Sequence, residues 1–162
     1  MKIRKAEISD YERILEIYSI AREYMIHSGN PNQWGHLHPN SELVRKDIEH
    51  QVCYVIYDNK IIHGVFALFD GEEPTYQHIE NGEWLNNESY ATIHRIAGDG
   101  SVHGIFQCAS DYCKSLFGNI RIDTHEDNKT MQRVIEKNGF KKCGIIYVRD
   151  KSPRIAYQWT LE

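Results

Sequence analysis

The chain is short of several features that would have assigned it quickly. No segment approaches the ~20 consecutive apolar residues of a membrane-spanning helix, and the opening Met1-Lys2-Ile3-Arg4-Lys5-Ala6-Glu7 lacks the apolar core of a signal peptide. Lysine and arginine are scattered, at most in pairs such as Lys141-Lys142, and the net charge is −4, so no basic surface is available for a nucleic-acid backbone. The four cysteines, Cys53, Cys108, Cys113 and Cys143, form neither a CxxC pair nor a zinc-like spacing. They read as buried free thiols of a reducing compartment, with no disulfide and no metal site. There is no G-x-x-x-x-G-K-S/T phosphate loop, no internal repeat and no low-complexity segment. The expectation is a soluble cytoplasmic protein with no nucleic-acid or membrane partner. The sequence admits a homodimer as well as a monomer.

What is present fits a single domain over residues 1–162, since 41% hydrophobic residues fill one sizeable core and two domains would be cramped. Lys2 to Ile8 reads as an edge strand. Ser9-Asp10 then caps a helix to about His27, in which Ile14, Leu15, Ile17, Tyr18, Ala21, Tyr24 and Met25 recur at helical spacing. The segment Ser28 to Asn40 is rich in turn residues but carries Trp34, His36 and His38, and it reads equally as a recognition loop on the acceptor side of a site or as a packed surface loop. A second helix follows from Ser41 to about His50, capped by Asn40 or Ser41. Val52–Tyr57 and Ile61–Phe69, joined by Asp58-Asn59-Lys60, form an antiparallel hairpin. Asp70 to Glu88 is polar and loops out before a strand from Tyr90 to Ile96.

That strand enters the turn Ile96-Ala97-Gly98-Asp99-Gly100-Ser101-Val102-His103-Gly104, and an amphipathic helix leaves it with Val102, Ile105, Phe106, Ala109, Cys113, Leu116 and Phe117 on one face. The spacing predicts a helix start near Ser101, with Ser101 as its cap. A strand, a glycine-rich turn and a helix N-terminus together make an anion site, because free N–H groups and the positive end of the helix dipole converge there. Beyond the stop at Gly118-Asn119 come a strand over Ile120–His125, a helix capped by Asp127-Asn128 that carries Met131, Val134 and Ile135 and ends at Asn138-Gly139, and a last strand pair around Asp150-Lys151-Ser152-Pro153. The order β-α-α-β-β-β-α-β-α-β-β, with hairpins at both ends and a crossover through the central helix, predicts a mixed sheet. Gly98-x-Gly100-x-x-x-Gly104 approximates the dinucleotide fingerprint, but its last spacing is one too long and it follows a hairpin, which argues against a nucleotide dehydrogenase.

This order, and the residues from Ile93 to Phe140 above all, resembles the GNAT superfamily of acetyl-CoA-dependent N-acetyltransferases. The pyrophosphate loop of that family, Q/R-x-x-G-x-G/A, fits two registers. Arg95-Ile96-Ala97-Gly98-Asp99-Gly100 matches letter for letter but precedes the helix. Ser101-Val102-His103-Gly104-Ile105-Phe106 sits at the helix start and is preferred, with Ser101 offering its hydroxyl and N–H and Phe106 turned into the core. The second family signature is recognisable from Asn128 to Phe140, with Met131 in place of a small residue and Ile135 in place of the tyrosine that commonly protonates the leaving thiolate.

The resemblance implies an α/β (α+β) fold with a mixed, mostly antiparallel sheet, a central parallel strand pair and helices on both faces. It implies transfer of the acetyl group of the co-substrate acetyl-CoA directly to a primary amine of a small molecule or peptide, without a protein nucleophile. On this reading His94, Arg95 and Ile96 face the acetyl group, where one N–H donor is worth ~3 kcal/mol; Ser101 to Phe106 hold the pyrophosphate, and Asn128 and Met131 contact the ligand from the partner helix. The amine must lose a proton first, which for a lysine-like group of pKa ~10.4 costs ~4.6 kcal/mol at pH 7. Candidates for the proton path are Asp123 and His125, which share a face by alternation, and Tyr147 as a substitute for the missing tyrosine. Two alternatives remain open: a CoA-binding module without turnover, favoured by Ile135, and a transferase of a larger acyl group.

Overall fold

A computed structural model describes residues 1–162. The strands are β1 (Lys2–Lys5), β2 (Cys53–Asp58), β3 (Ile61–Asp70), β4 (Ala91–Gly98), β5 (Asn119–Thr124), β6 (Lys141–Tyr147) and β7 (Pro153–Thr160), and the helices are α1 (Tyr11–His27), α2 (Ser41–Glu49), α3 (Ile105–Leu116) and α4 (Lys129–Lys137). One seven-stranded sheet runs in the order β1-β2-β3-β4-β5-β7-β6. All neighbours are antiparallel except β4 and β5, which the α3 crossover makes parallel. The mixed sheet expected from the element order is therefore present.

The local chemistry explains most boundaries. In α1 the buried residues Ile14, Ile17, Tyr18 and Ala21 form one stripe against the sheet. The α2 cap is Asn40, whose side chain accepts the Leu43 N–H, and Asn128 caps α4 by accepting the Met131 N–H. The β2–β3 hairpin turns through Asn59 and Lys60, both at positive φ, as a two-residue connection matched to the strand twist requires. The first strand stops at Lys5 rather than Ile8, because the Glu7 N–H and Asp10 carboxylate already form the reciprocal cap of a single turn.

Two cores lie on opposite faces. One packs α1 and α2 against β1–β4 through Ile14, Ile17, Val55 and Val65. The other packs α3 and α4 against β2–β7 through Phe66, Ile93, Phe106, Ile135 and Tyr157. On the α1/α2 face, β5, β7 and β6 carry no helix. The long β3–β4 connection covers them, with Tyr76 and Tyr90 packed on Ile146 and Ala156.

Candidate active site

Parallel pairing between β4 and β5 is brief, joining Ala91 with Ile120 and Thr92 with Arg121 and nothing beyond. From Ile93 onward the two strands part, and a bulge in β4 enforces the separation. Ala67 pairs with His94 whereas Val65 pairs with Ala97, so Arg95 and Ile96 are two residues opposite one. Arg95 sits at φ 53°, in the left-handed region that costs a non-glycine residue ~1 kcal/mol or more. Its surroundings hold it there. The guanidinium forks onto Asp47 of α2 through Nε and Nη2, each at 2.9 Å, and the Arg95 carbonyl accepts a 2.7 Å hydrogen bond from the buried Tyr18 hydroxyl.

On the α3 side the opening leads to the glycine-rich turn. The helix begins at Ile105, with its cap three residues later than the apolar spacing predicts, at Gly104 with φ 85°. Ser101 does not cap the helix. Its N–H and hydroxyl donate to Asp99 at 2.9 and 2.6 Å, and its hydroxyl also meets His63 Nδ1 at 2.8 Å. Asp99 gathers Arg13 as well, at 2.5 Å. Burial opposes the Asp99 charge, but these donors outweigh it and hold the carboxyl below its usual range. Ser101 therefore shapes the loop, while Gly104 stands at the N-terminus of α3. A side chain at Gly104 would meet only Met1 Cε at 3.9 Å, so the backbone there is open to a ligand. Phe106 points into the core edge-on to Phe140, as expected, and His103 is exposed beside the turn.

On the opposite face the separated strands carry a buried polar cluster. The Tyr76 hydroxyl, fully buried in the β3–β4 connection, donates to Asp123 Oδ2 at 2.6 Å. The His94 ring lies 6.3 Å from the Tyr76 ring, and its Nε2 is 3.9 Å from Glu73 Oε2. Burial, with Arg95 and His38 nearby, pushes the His94 imidazole down to about 3, so it is neutral at physiological pH. Burial raises the Asp123 carboxyl, against the Tyr76 hydrogen bond and the Arg154 charge. Arg154, buried on β7, has no carboxylate in hydrogen-bond contact and donates to Ser152 Oγ and the Pro153 carbonyl.

The loop before α2 packs on Tyr18, whose hydroxyl bonds the β4 bulge. Trp34 packs edge-on to Tyr18 at 5.7 Å and to His38 at 6.1 Å, so it anchors the loop, while His36 is exposed. Gln33 Oε1 accepts from both Asn30 Nδ2 and Asn128 Nδ2, at 2.8 and 2.9 Å, which ties this loop to the cap of α4.

The other expected site residues are dispersed. His125 accepts the Asp127 N–H at 3.0 Å at the entry to α4, and no hydrogen bond joins it to Asp123. Tyr147 is on the edge strand β6, separated from β5 by β7, with its hydroxyl on Glu80 at 2.8 Å, so the fold does not bring it to the opening. Met131 packs partly into the α3/α4 core, and Ile135 is fully buried there. Glu73 and Tyr76 escaped the sequence reading because they lie in a polar, turn-rich segment in which Tyr76 is a lone aromatic, and Arg154 because it stands between the Asp150–Pro153 turn and the apolar run of the last strand.

The family model for the acetyltransferase (GNAT) domain matches residues 1–141. The chain belongs to the GNAT family. Among solved structures, a GNAT-family acetyltransferase from Streptococcus agalactiae is 30% identical with a TM-score of 0.87, the match covering 99% of this chain and 95% of that one. A putative acetyltransferase from Staphylococcus aureus is 26% identical with a TM-score of 0.71 over 100% of both chains. The fold is shared with yncA of Salmonella typhimurium, solved with acetyl-CoA, at 13% identity and a TM-score of 0.62 over 99% of this chain and 94% of that one. No protein of curated function matches. In GNAT terms, the parting of β4 from β5 and the turn ahead of α3 are the features that the acetyltransferase fold supplies here.

Proposed function

We propose that this GNAT protein transfers the acetyl group of acetyl-CoA to a primary amine of a small molecule or peptide. The observation that carries the reading is the gap between β4 and β5, with the helix terminus at Gly104 on one side and the Tyr76–Asp123–His94 polar cluster on the other. The residues fit the co-substrate: the open backbone at Gly104 and the first N–H groups of α3 suit a pyrophosphate, and the unpaired edge of β4 past Thr92 suits an extended amide-bearing chain. When bound, acetyl-CoA supplies the activated acyl group. The β4 edge around Ile96 offers N–H donors where negative charge develops on the acetyl oxygen.

The polar cluster prepares the amine. Glu73 and Asp123 favour entry of a cationic amine, and Asp123, its carboxyl raised by burial, is the residue we assign to the proton path in preference to His125 and Tyr147. His94 stays neutral and orients rather than repels the cation.

Acetyl-CoA at ~100 times its dissociation constant should stabilise the fold by ~2.7 kcal/mol. For a chain of 162 residues that is a rise in Tm of roughly 5–10 °C. No shift at millimolar ligand would refute the reading. Ile135, buried in the apolar core, favours a second reading, a CoA-binding module without turnover, because no tyrosine stands at that position. Binding of acetyl-CoA without release of free thiol over a panel of amines would select it.

A further inference from the structure

Arg121 is a cation without a counter-ion. It lies on β5 facing the same side as Asp123 and is 5% exposed. Its guanidinium carbon stands 4.1 Å from the centre of the Trp84 ring and 4.0 Å from that of Tyr90, so the charged plane is sandwiched between two aromatic faces. Nη2 donates to the Asn86 carbonyl at 2.9 Å, and Nε is buried with no partner. Arg4, Arg13 and Arg95 are each held by an aspartate, but no carboxylate pairs with Arg121. Burial lowers its pKa, yet a guanidinium stays charged. Buried charges of this kind are normally paired.

The same side chain lines a cavity of 310 Å³ whose walls include Tyr76, Trp84, Tyr90, Ser89 and, at the rim, Glu88. That volume suits a small organic ligand. We propose that this cavity binds the carboxylate of a small organic molecule, held by the Arg121 guanidinium between the Trp84 and Tyr90 rings. With both faces of the plane covered, only the N–H edge remains for an anion, and a flat carboxylate matches that fork. Glu72 and Glu88 flank the opening, so a doubly charged phosphate is disfavoured and the rest of the ligand is neutral or cationic. The carboxylate can belong to a separate ligand or to the acetyl acceptor itself. Tyr76 is a wall of this cavity and bonds Asp123, and Arg121 and Asp123 are two residues apart on one strand face, roughly 6.7 Å along β5.

The binding test requires no acetyl transfer. Trp84 Nε1 donates to the Tyr76 carbonyl at 2.8 Å, so its indole N–H resonance, assigned through Trp84→Phe, reports on the cavity wall. Titration of the whole protein with propionate should move that resonance saturably, propionamide should leave it in place, and inorganic phosphate should act at least tenfold more weakly. Arg121→Gln should abolish the response. Because Arg121→Gln removes a buried contact, Ser89→Asp at an exposed wall position provides a second test by setting a fixed carboxylate in the cavity, and it should abolish the response with the fold intact. A wild-type resonance that does not move, that moves equally with propionamide, or that still responds in Ser89→Asp overturns the proposal. The source is then read from thiol release: a KM for 4-aminobutyrate at least tenfold below that for butylamine places the carboxylate on the acceptor, and equal values place it on a separate ligand.

Discussion

The Tyr76 hydroxyl donates a 2.6 Å hydrogen bond to Asp123, fastening the β3–β4 connection to the end of β5 beside the gap between the parallel strands. Tyr76→Phe removes a hydrogen bond to a charged acceptor, a loss of about 2 kcal/mol. It also removes a donor that favours the ionised carboxylate, so the Asp123 pKa rises further. If Asp123 works in its ionised form, the ascending limb of the kcat profile moves to higher pH. An unchanged limb in a folded Tyr76→Phe protein would exclude Asp123 from the proton path.

Asp123 also couples stability to pH. Its folded pKa is raised above the unfolded value of ~3.9, so the folded state holds the proton more tightly. That contribution is complete below about pH 4 and is lost as pH rises through the folded pKa. His94 titrates alike in wild type and Asp123→Asn and so cancels between them. Urea midpoints measured between pH 4 and 8 should show wild type losing ground to Asp123→Asn as pH rises, and the opposite trend would contradict the assignment.

The bulge in β4 depends on Asp47. Asp47→Ala leaves the Arg95 guanidinium, which is mostly shielded from solvent, unpaired at a left-handed backbone position, with an expected cost of about 3 kcal/mol. Acetyl-CoA affinity should fall along with stability, because the strand edge loses its shape. Chemical denaturation and calorimetric titration of the same variant separate the two effects.

Gly104→Ala and Gly104→Asp test which glycine faces the ligand. The position is spacious but has φ 85°, so alanine costs about 1–2 kcal/mol of strain without a clash. Aspartate adds a negative charge at the helix terminus and should abolish the acetyl-CoA thermal shift. The corresponding change at Gly98, which packs on Ile105, should unfold the turn rather than selectively remove binding.

Much of the fold was legible because local chemistry and global packing agree. The Asn128 cap, the α1 stripe and the Asn59-Lys60 turn each follow from neighbouring residues. The start of α3 was misplaced because Val102 continues the period of Ile105 and Phe106, while Asp99 holds the Ser101 N–H and hydroxyl in the loop, so the Ser101 oxygen accepts no first-turn N–H. The polar cluster was illegible for a different reason. Tyr76 meets Asp123 across 47 positions of sequence and Arg95 meets Asp47 across 48, and no periodicity encodes such pairs.

The most direct test of acetyl transfer is mass spectrometry of acetyl-CoA incubated with the protein and a panel of primary amines, with free thiol titrated in parallel. Transfer predicts an acetylated amine and one equivalent of free thiol, both lost in Gly104→Asp. Acetyl-CoA binding with neither product on any amine, or turnover unaffected by Gly104→Asp, would contradict it.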